Sequence, residues 1–252
     1  MSRGIRLTRR GDSRKNRSMR IAVAGGTGVV GAHVVRAAES AGHEVRVLSR
    51  SRGVDLMTGA GVDLTGVETV IDVAGPSTTS AAKSRAFFEA ETNTLLSAGR
   101  AGGVGHHLAL SIVGAARAPY GYYAGKALQE QLISASDVPW TILRAPQFFE
   151  FAEQNAVSLG RWAILPVMRS RPIAARTVAE ELVRLAELGP AGDAADIAGP
   201  EEMSIAELAR TVFEAHGDRR RVVEMPLPGG FGRALRDGSI LPRPEARLLA
   251  PA

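Results

Sequence analysis

Arg20-Ile21-Ala22-Val23-Ala24-Gly25-Gly26-Thr27-Gly28-Val29-Val30-Gly31 decides the fold of this 252-residue chain. A short apolar run stops at Gly25, and Val29–Ala41 then carries helical spacing until Gly42 closes it. Glycines stand at the first, fourth and seventh positions between a strand and a helix. Gly25 permits the tight turn, Gly28 lets backbone approach a pyrophosphate, and Gly31 lets the helix pack on the strand. Thr27 and Val29 complete the cradle, and the helix amino terminus offers free N–H groups and a positive dipole end. The rival reading is an ordinary glycine-rich turn, since 28 glycines make such triplets common. The flanking strand and helix favour a dinucleotide site.

Working outward, Glu44–Leu48, Thr69–Val73, His107–Ser111 and Trp140–Leu143 read as further strands, and Ser84–Arg100 and Tyr122–Ser134 as helices. The alternation predicts an α/β fold: a doubly wound parallel, Rossmann-like sheet with a small, interwoven C-terminal substrate lobe. The expected division is a basic leader over 1–18, a nucleotide-binding domain over 19–145 and the lobe over 146–252. In the lobe, Gln147–Leu159, Arg176–Leu188 and Ile205–Ala215 read as helices, short strands are expected near Pro172 and Ala195, and Pro226–Ala252 reads as irregular. Arg50–Val67 is too short for the helix, strand and helix usual after a second strand, so the adenine side is expected to be abbreviated.

The sequence pI near 10.2 suggests nucleic acid, but the charge is uneven. Residues 1–18 net +6 and the remainder nets −1, so no specific nucleic-acid binding is expected of the body. The arginine-rich start reads as a leader upstream of Met19 rather than a phosphate-binding arm. No apolar run is long enough to span a membrane. With no cysteine, disulfides and thiolate chemistry are excluded, and the five histidines show no metal spacing. A cytoplasmic protein without a metal site, monomeric or a homodimer, is the expectation.

The second strand ends in Ser49-Arg50-Ser51-Arg52 where an NAD-binding chain would carry a carboxylate for the ribose hydroxyls. Two guanidiniums beside hydroxyls suit a 2'-phosphate, so NADP(H) is preferred over NAD(H). The alternative is that these are solvated loop arginines. The chain's three tyrosines, Tyr120, Tyr122 and Tyr123, all precede Lys126, one of only three lysines in a chain whose other 28 basic residues are arginine. On a helix, Tyr122 and Lys126 share a face one turn apart, and an ammonium there would lower a phenol's pKa.

These segments resemble the atypical short-chain dehydrogenase/reductase superfamily, in its NmrA-like NAD(P)H-binding branch. The resemblance covers Met19 to about Leu208. It rests on the glycine loop, VIDVAG at Val70–Gly75, LALSIVG ending in Ser111–Gly114, GYYAGK at Gly121–Lys126, PWTILRAPQF at Pro139–Phe148 and IAGPEEMSIAEL at Ile197–Leu208. It implies Tyr122 as catalytic acid/base, Lys126 as its pKa modulator and ribose ligand, and Ser111 as the hydroxyl steadying the substrate oxygen. It also places Val73, Ala74 and Gly75 beside the nucleotide, Asp55 at the adenine, and Arg144–Gln147, with Ala145, along the nicotinamide and substrate pocket.

The expected activity is NADPH-dependent reduction of a small carbonyl, quinone-like or conjugated substrate, with Phe148, Phe149, Phe151 and Trp162 as an apolar wall or as plain core. The alternatives are a non-catalytic NADP(H)-sensing regulator, which many NmrA-like relatives are, and a nucleotide-sugar epimerase or dehydratase.

Overall fold

The computed structural model describes residues 17–150 and 156–250. The first part alternates as expected: β1 (Arg20–Ala24), α1 (Val29–Ser40), β2 (Glu44–Leu48), β3 (Thr69–Asp72), α2 (Ala81–Gly102), β4 (His106–Ile112), α3 (Gly121–Ser134) and β5 (Trp140–Ala145). The second part is finer grained. It holds β6 (Val157–Leu159), β7 (Trp162–Pro166), β8 (Arg169–Ser170), α4 (Ala175–Leu188), β9 (Gly192–Asp193), β10 (Ile197–Ala198), β11 (Met203–Ser204), α5 (Ile205–Ala215), β12 (Arg221–Met225), α6 (Gly229–Arg236) and β13 (Arg247–Leu248).

The main sheet runs β2-β1-β3-β4-β5-β9, and every neighbouring pair is parallel. Its central strands are apolar without alternation because both faces are covered. On one face α1 and α4 pack on Ile21, Val23, Ile71 and Leu143, and on the other Ala22, Ala24, Val70 and Leu95 form a second core. Strand order reverses between β1 and β3, and there the glycine loop leaves the sheet. Open parallel sheets bind ligands at that crevice, outside the strands' carboxyl ends.

Arg50–Val67 indeed forms no strand. A single 3-10 turn at Arg50–Arg52 gives way to turns with positive φ at Gly53, Gly59, Gly61 and Gly66. Val54, Leu56, Leu64 and Val67 plug the core beneath, so the abbreviated side is still sealed.

The second part returns to the sheet through α4, which packs on α1, and β9, which pairs with β5. Its own core joins Leu165, Ile205, Phe213 and Leu235 to Tyr123 and Ala118. Two expectations fail here. The helix expected over Gln147–Leu159 does not form where described: Phe148 bridges Ile173 and Val157–Leu159 is a strand antiparallel to β7, while residues 151–155 lie outside the described residues. Apolar spacing alone could not separate these options, because the run packs against two different cores. The end of the chain is also less irregular than expected, since α6 buries Ala234 and Leu235 and β13 pairs with β10. Residues 1–16, the bulk of the expected leader, lie outside the described residues.

Candidate functional site

Backbone geometry fixes the glycine loop. Gly25 has φ +77°, and a Cβ there would stand 2.8 Å from the Cα of Ala74. At Gly31 a Cβ would come within 2.1 Å of the Gly25 carbonyl oxygen. The Gly28 amide donates to Gly25 O at 2.9 Å, and Gly28 caps α1 without a side chain. No carboxylate lies in the first turn, so the α1 amino terminus is left with its dipole uncompensated. The Val73–Gly75 segment passes directly beside this loop. These residues fit a pyrophosphate: a positive helix end, backbone donors and no side chain in the way.

At the rim, Arg50 and Arg52 are exposed and make no ion pair among the described residues. Ser49 and Ser51 face each other at 3.0 Å. Asp55 is spoken for: its carboxylate accepts the Met57 amide at 2.9 Å and closes its own loop. The adenine contact assigned to it therefore has to compete with that turn, a consequence of the shortened connection.

Tyr122 stands where the sequence predicts. It starts α3, its ring meets Phe88 edge-on at 5.5 Å, and a Cβ on Gly75 would lie 2.8 Å from its hydroxyl. That hydroxyl has no hydrogen-bond partner among the described residues. Its neighbours are engaged elsewhere: Tyr123 is buried with its hydroxyl accepting from Gln147 Nε2 at 2.7 Å, and Tyr120 is exposed against Phe231 and Gly230.

Lys126 departs from expectation. Its Nζ points inward, donating to Leu110 O at 2.7 Å and Gln129 Oε1 at 2.8 Å, and lies 4.3 Å from the centre of the Phe88 ring. Phe88 thus carries the ammonium on its face and the Tyr122 ring against its edge. Burial raises Tyr122 above the ordinary phenol value, and the Asp72 and Glu91 carboxylates push it further the same way. The lysine expected to lower this phenol is instead held by buried partners.

Ser111 departs too. Its hydroxyl donates to Glu130, which also takes a bidentate pair from Arg144 at 2.9 and 2.8 Å. Arg144 continues to Asp193 on β9 at 2.8 Å. The next residue, Ile112, packs instead against the C-terminal core, because side chains alternate along β4. Ala145 is buried at the end of β5, where its carbonyl accepts the Val113 amide. Among the described residues the aromatic wall does not assemble: Phe148 and Phe149 pack into separate cores and Trp162 lies between Arg161 and Arg221, while Phe151 lies outside the described residues.

Sequence reading passed over Asp72, Glu91, Gln129 and Phe88, which form the floor beneath Tyr122. Asp72 Oδ1 accepts the Ala74 amide at 3.1 Å and Oδ2 accepts Gln129 Nε2 at 2.7 Å. Glu91 was detectable in principle. It falls in the buried stripe of Phe88, Thr92, Leu95 and Leu96, where a carboxylate is out of place. The adjacent His106 and His107 do point to opposite faces, His106 to Thr141 at 2.9 Å and His107 to Asp72 at 3.9 Å. No group of residues suited to a metal ion occurs among the described residues.

Residues 21–111 match the NAD dependent epimerase/dehydratase family. The match spans the glycine loop, the shortened connection and β4, so it covers the nucleotide half of the crevice and stops before Tyr122. Among solved structures, the UDP-glucose 4-epimerase of Thermus thermophilus in complex with NAD has a TM-score of 0.60 at 21% identity, covering 92% of this chain and 91% of that one. The dTDP-4-dehydrorhamnose reductase of Bacillus anthracis in complex with NADP has a TM-score of 0.60 at 11% identity, with 83% and 85% covered. Its counterpart from Clostridium acetobutylicum reaches 0.63 at 14%, with 89% and 95% covered. These likenesses show a common Rossmann-like fold. No curated protein matched the chain. No helix among the described residues is long and apolar enough to cross a membrane.

Proposed function

We propose that this chain is an NADP(H)-dependent oxidoreductase that reduces a small carbonyl or conjugated substrate, with Tyr122 as the proton donor. The observation that carries the reading is the free Tyr122 hydroxyl beside Gly75, at the strand ends where the glycine loop opens. A bound reduced nicotinamide would supply hydride. Gly25–Gly31 and the α1 amino terminus would hold its pyrophosphate, and Arg50 and Arg52 would pair with a 2'-phosphate. As charge grows on the substrate oxygen, the Tyr122 phenol donates its proton.

Burial holds the Tyr122 phenol above its ordinary value, so it starts the reaction protonated. A protonated phenol is a poor base, which weighs against the epimerase reading, in which bound NAD would oxidise a sugar hydroxyl while a base takes its proton, although the matched family and the neighbouring sugar-nucleotide enzymes support it. The inward commitment of Ser111 and Lys126 favours a second reading, an NADP(H)-sensing regulator of the NmrA-like kind.

One experiment separates the three. Purified protein is titrated with NADPH and NADH by fluorescence, then assayed for NADPH consumption with quinones, aldehydes and enones. Tyr122→Phe is expected to keep NADPH affinity within about threefold and to lose turnover by at least about 100-fold, the scale of general acid catalysis. Binding without consumption by the native chain would favour the sensor, and tightly retained NAD with conversion of a sugar nucleotide would favour the epimerase.

A further inference from the structure

Two acids lie wholly inside the molecule beneath Tyr122, and the reductase reading gives neither a task. Asp72 ends β3 and Glu91 lies within α2, and both are 0% exposed. The two carboxyl groups lie close enough to interact, and Asp72 raises the affinity of Glu91 for a proton after burial does. Asp72 already accepts from Ala74 N and Gln129 Nε2, while Glu91 Oε2 accepts from the Thr92 hydroxyl at 3.2 Å. Glu91 Oε1 is buried and has no hydrogen-bond partner.

The charges facing the pair do not balance two carboxylates. From α3 come Lys126, tied to Asp72 through Gln129, and Tyr122, a neutral phenol; Glu130 on the same helix is paired with Arg144. From β4 comes His107, which burial keeps neutral. Two anions against one ammonium, without water, is a costly arrangement, and one proton between the carboxyl groups removes it. The same proton gives Glu91 a donor to offer, and Asp72 has acceptor capacity left to receive it.

We propose that Asp72 and Glu91 share a single proton, and that the pair, tied through Gln129 to Lys126, is a positioning device that holds the Ala74–Gly75 turn against the glycine loop and Tyr122. The link is direct, because the Ala74 amide hangs on Asp72 and Gly75 meets the Tyr122 hydroxyl. Glu91 is a positioning residue here, acting through Asp72. The catalytic part rests on the reductase reading; the proton itself does not.

The sign of the pH effect follows. In the fold, burial and then Asp72 hold the Glu91 carboxyl protonated well above the usual carboxylate range, whereas in the unfolded chain it ionises near about 4.3. Above that pH the unfolded chain binds fewer protons than the fold, so Glu91 lowers the folding constant about tenfold per pH unit until it ionises in place.

Infrared spectroscopy of the full chain at pH 7 tests this. A protonated-carboxyl band is expected, lost in Glu91→Gln and retained in Glu187→Gln, a carboxylate at the surface. Glu91→Gln, which keeps a donor toward Asp72, should hold NADPH affinity within about twofold and lose the pH-dependent fall in the folding constant. Glu91→Ala, which frees Asp72, should weaken NADPH at least about tenfold. If that variant does not fold, Asp72→Asn serves, since its amide can donate to an ionised Glu91 and the band should vanish. Absence of the band in the native chain, or its persistence in Glu91→Gln, overturns the proposal. Neither readout needs turnover, so a protein that consumes no NADPH would sink the reductase reading and leave this one standing, and an active enzyme without the band would do the reverse.

Discussion

The glycine loop and the floor beneath Tyr122 form two sides of one crevice, and they are held by opposite means. The loop owes its shape to missing side chains: Gly25 needs a positive φ and Gly31 a bare Cα, and no charge is involved. The floor owes its shape to buried charge, with Asp72, Glu91, Gln129 and Lys126 joined in one network out of reach of water. Steric rules have one solution in sequence, glycine, whereas a charge network can be wired in several ways by the same residues. Substitutions should therefore break the floor and the loop differently.

The largest effect is expected on the floor. Lys126→Met keeps the length of the side chain and removes its charge, leaving the Asp72–Glu91 pair without its ammonium. Leaving a buried carboxylate without its counter-charge costs up to about 3–5 kcal/mol, so urea denaturation should show a loss approaching that scale. Lys126→Arg should rescue little of it, since a planar fork cannot replace a compact ammonium between Leu110 O, Gln129 and the Phe88 ring. Full stability in Lys126→Met would mean that the floor is held by packing alone, erasing the contrast with the loop.

Next comes the loop. Gly31→Ala places a methyl 2.1 Å from the Gly25 carbonyl oxygen, a backbone atom that cannot swing aside. Overpacking of this kind costs about 1–3 kcal/mol, and here it also pushes α1 away from the phosphates. Calorimetry should show the lower melting temperature and fluorescence titration the loss of NADPH affinity, at every pH alike. The floor variants should instead lose stability in a pH-dependent way, which is the sharper form of the comparison.

The same contrast explains what the sequence disclosed. Strand, glycine turn and helix at Arg20–Ser40 were legible, because periodicity and glycine spacing report backbone constraints directly. So was the missing strand after β2, from chain length alone. Tyr122 was legible as the phenol at the crevice, but the pairing with Lys126 was not. Spacing of four residues puts two side chains on one helical face and says nothing about which way a long side chain turns. Here Leu110 O, Gln129 Oε1 and the Phe88 ring receive its Nζ. The partner of Ser111 was not legible either, as its hydroxyl donates to Glu130, which Arg144 holds from the other side. In the second part, strands of two to five residues carry too little periodicity to be read, and Gln147–Leu159 was taken for a helix.

The smallest expected effect lies at the loop's outer rim, where the two devices meet, since Arg50 and Arg52 bring charge to a wall otherwise built from backbone. Both are exposed, so water already solvates them and their contribution to folding is slight. Toward a 2'-phosphate each can donate charge-assisted hydrogen bonds, worth about 1.5–3 kcal/mol when formed. Solvent screening at the rim reduces that, so the double change Arg50→Ala with Arg52→Ala should weaken NADPH about tenfold and leave NADH affinity and melting temperature unchanged. Raising the salt concentration should reproduce part of the loss in the native chain and none in the variant. Equal weakening of both cofactors would mean that these arginines shape the turn rather than read the phosphate, and the preference for NADP(H) would then have to come from Ser49 and Ser51, whose hydroxyls face each other at the same rim.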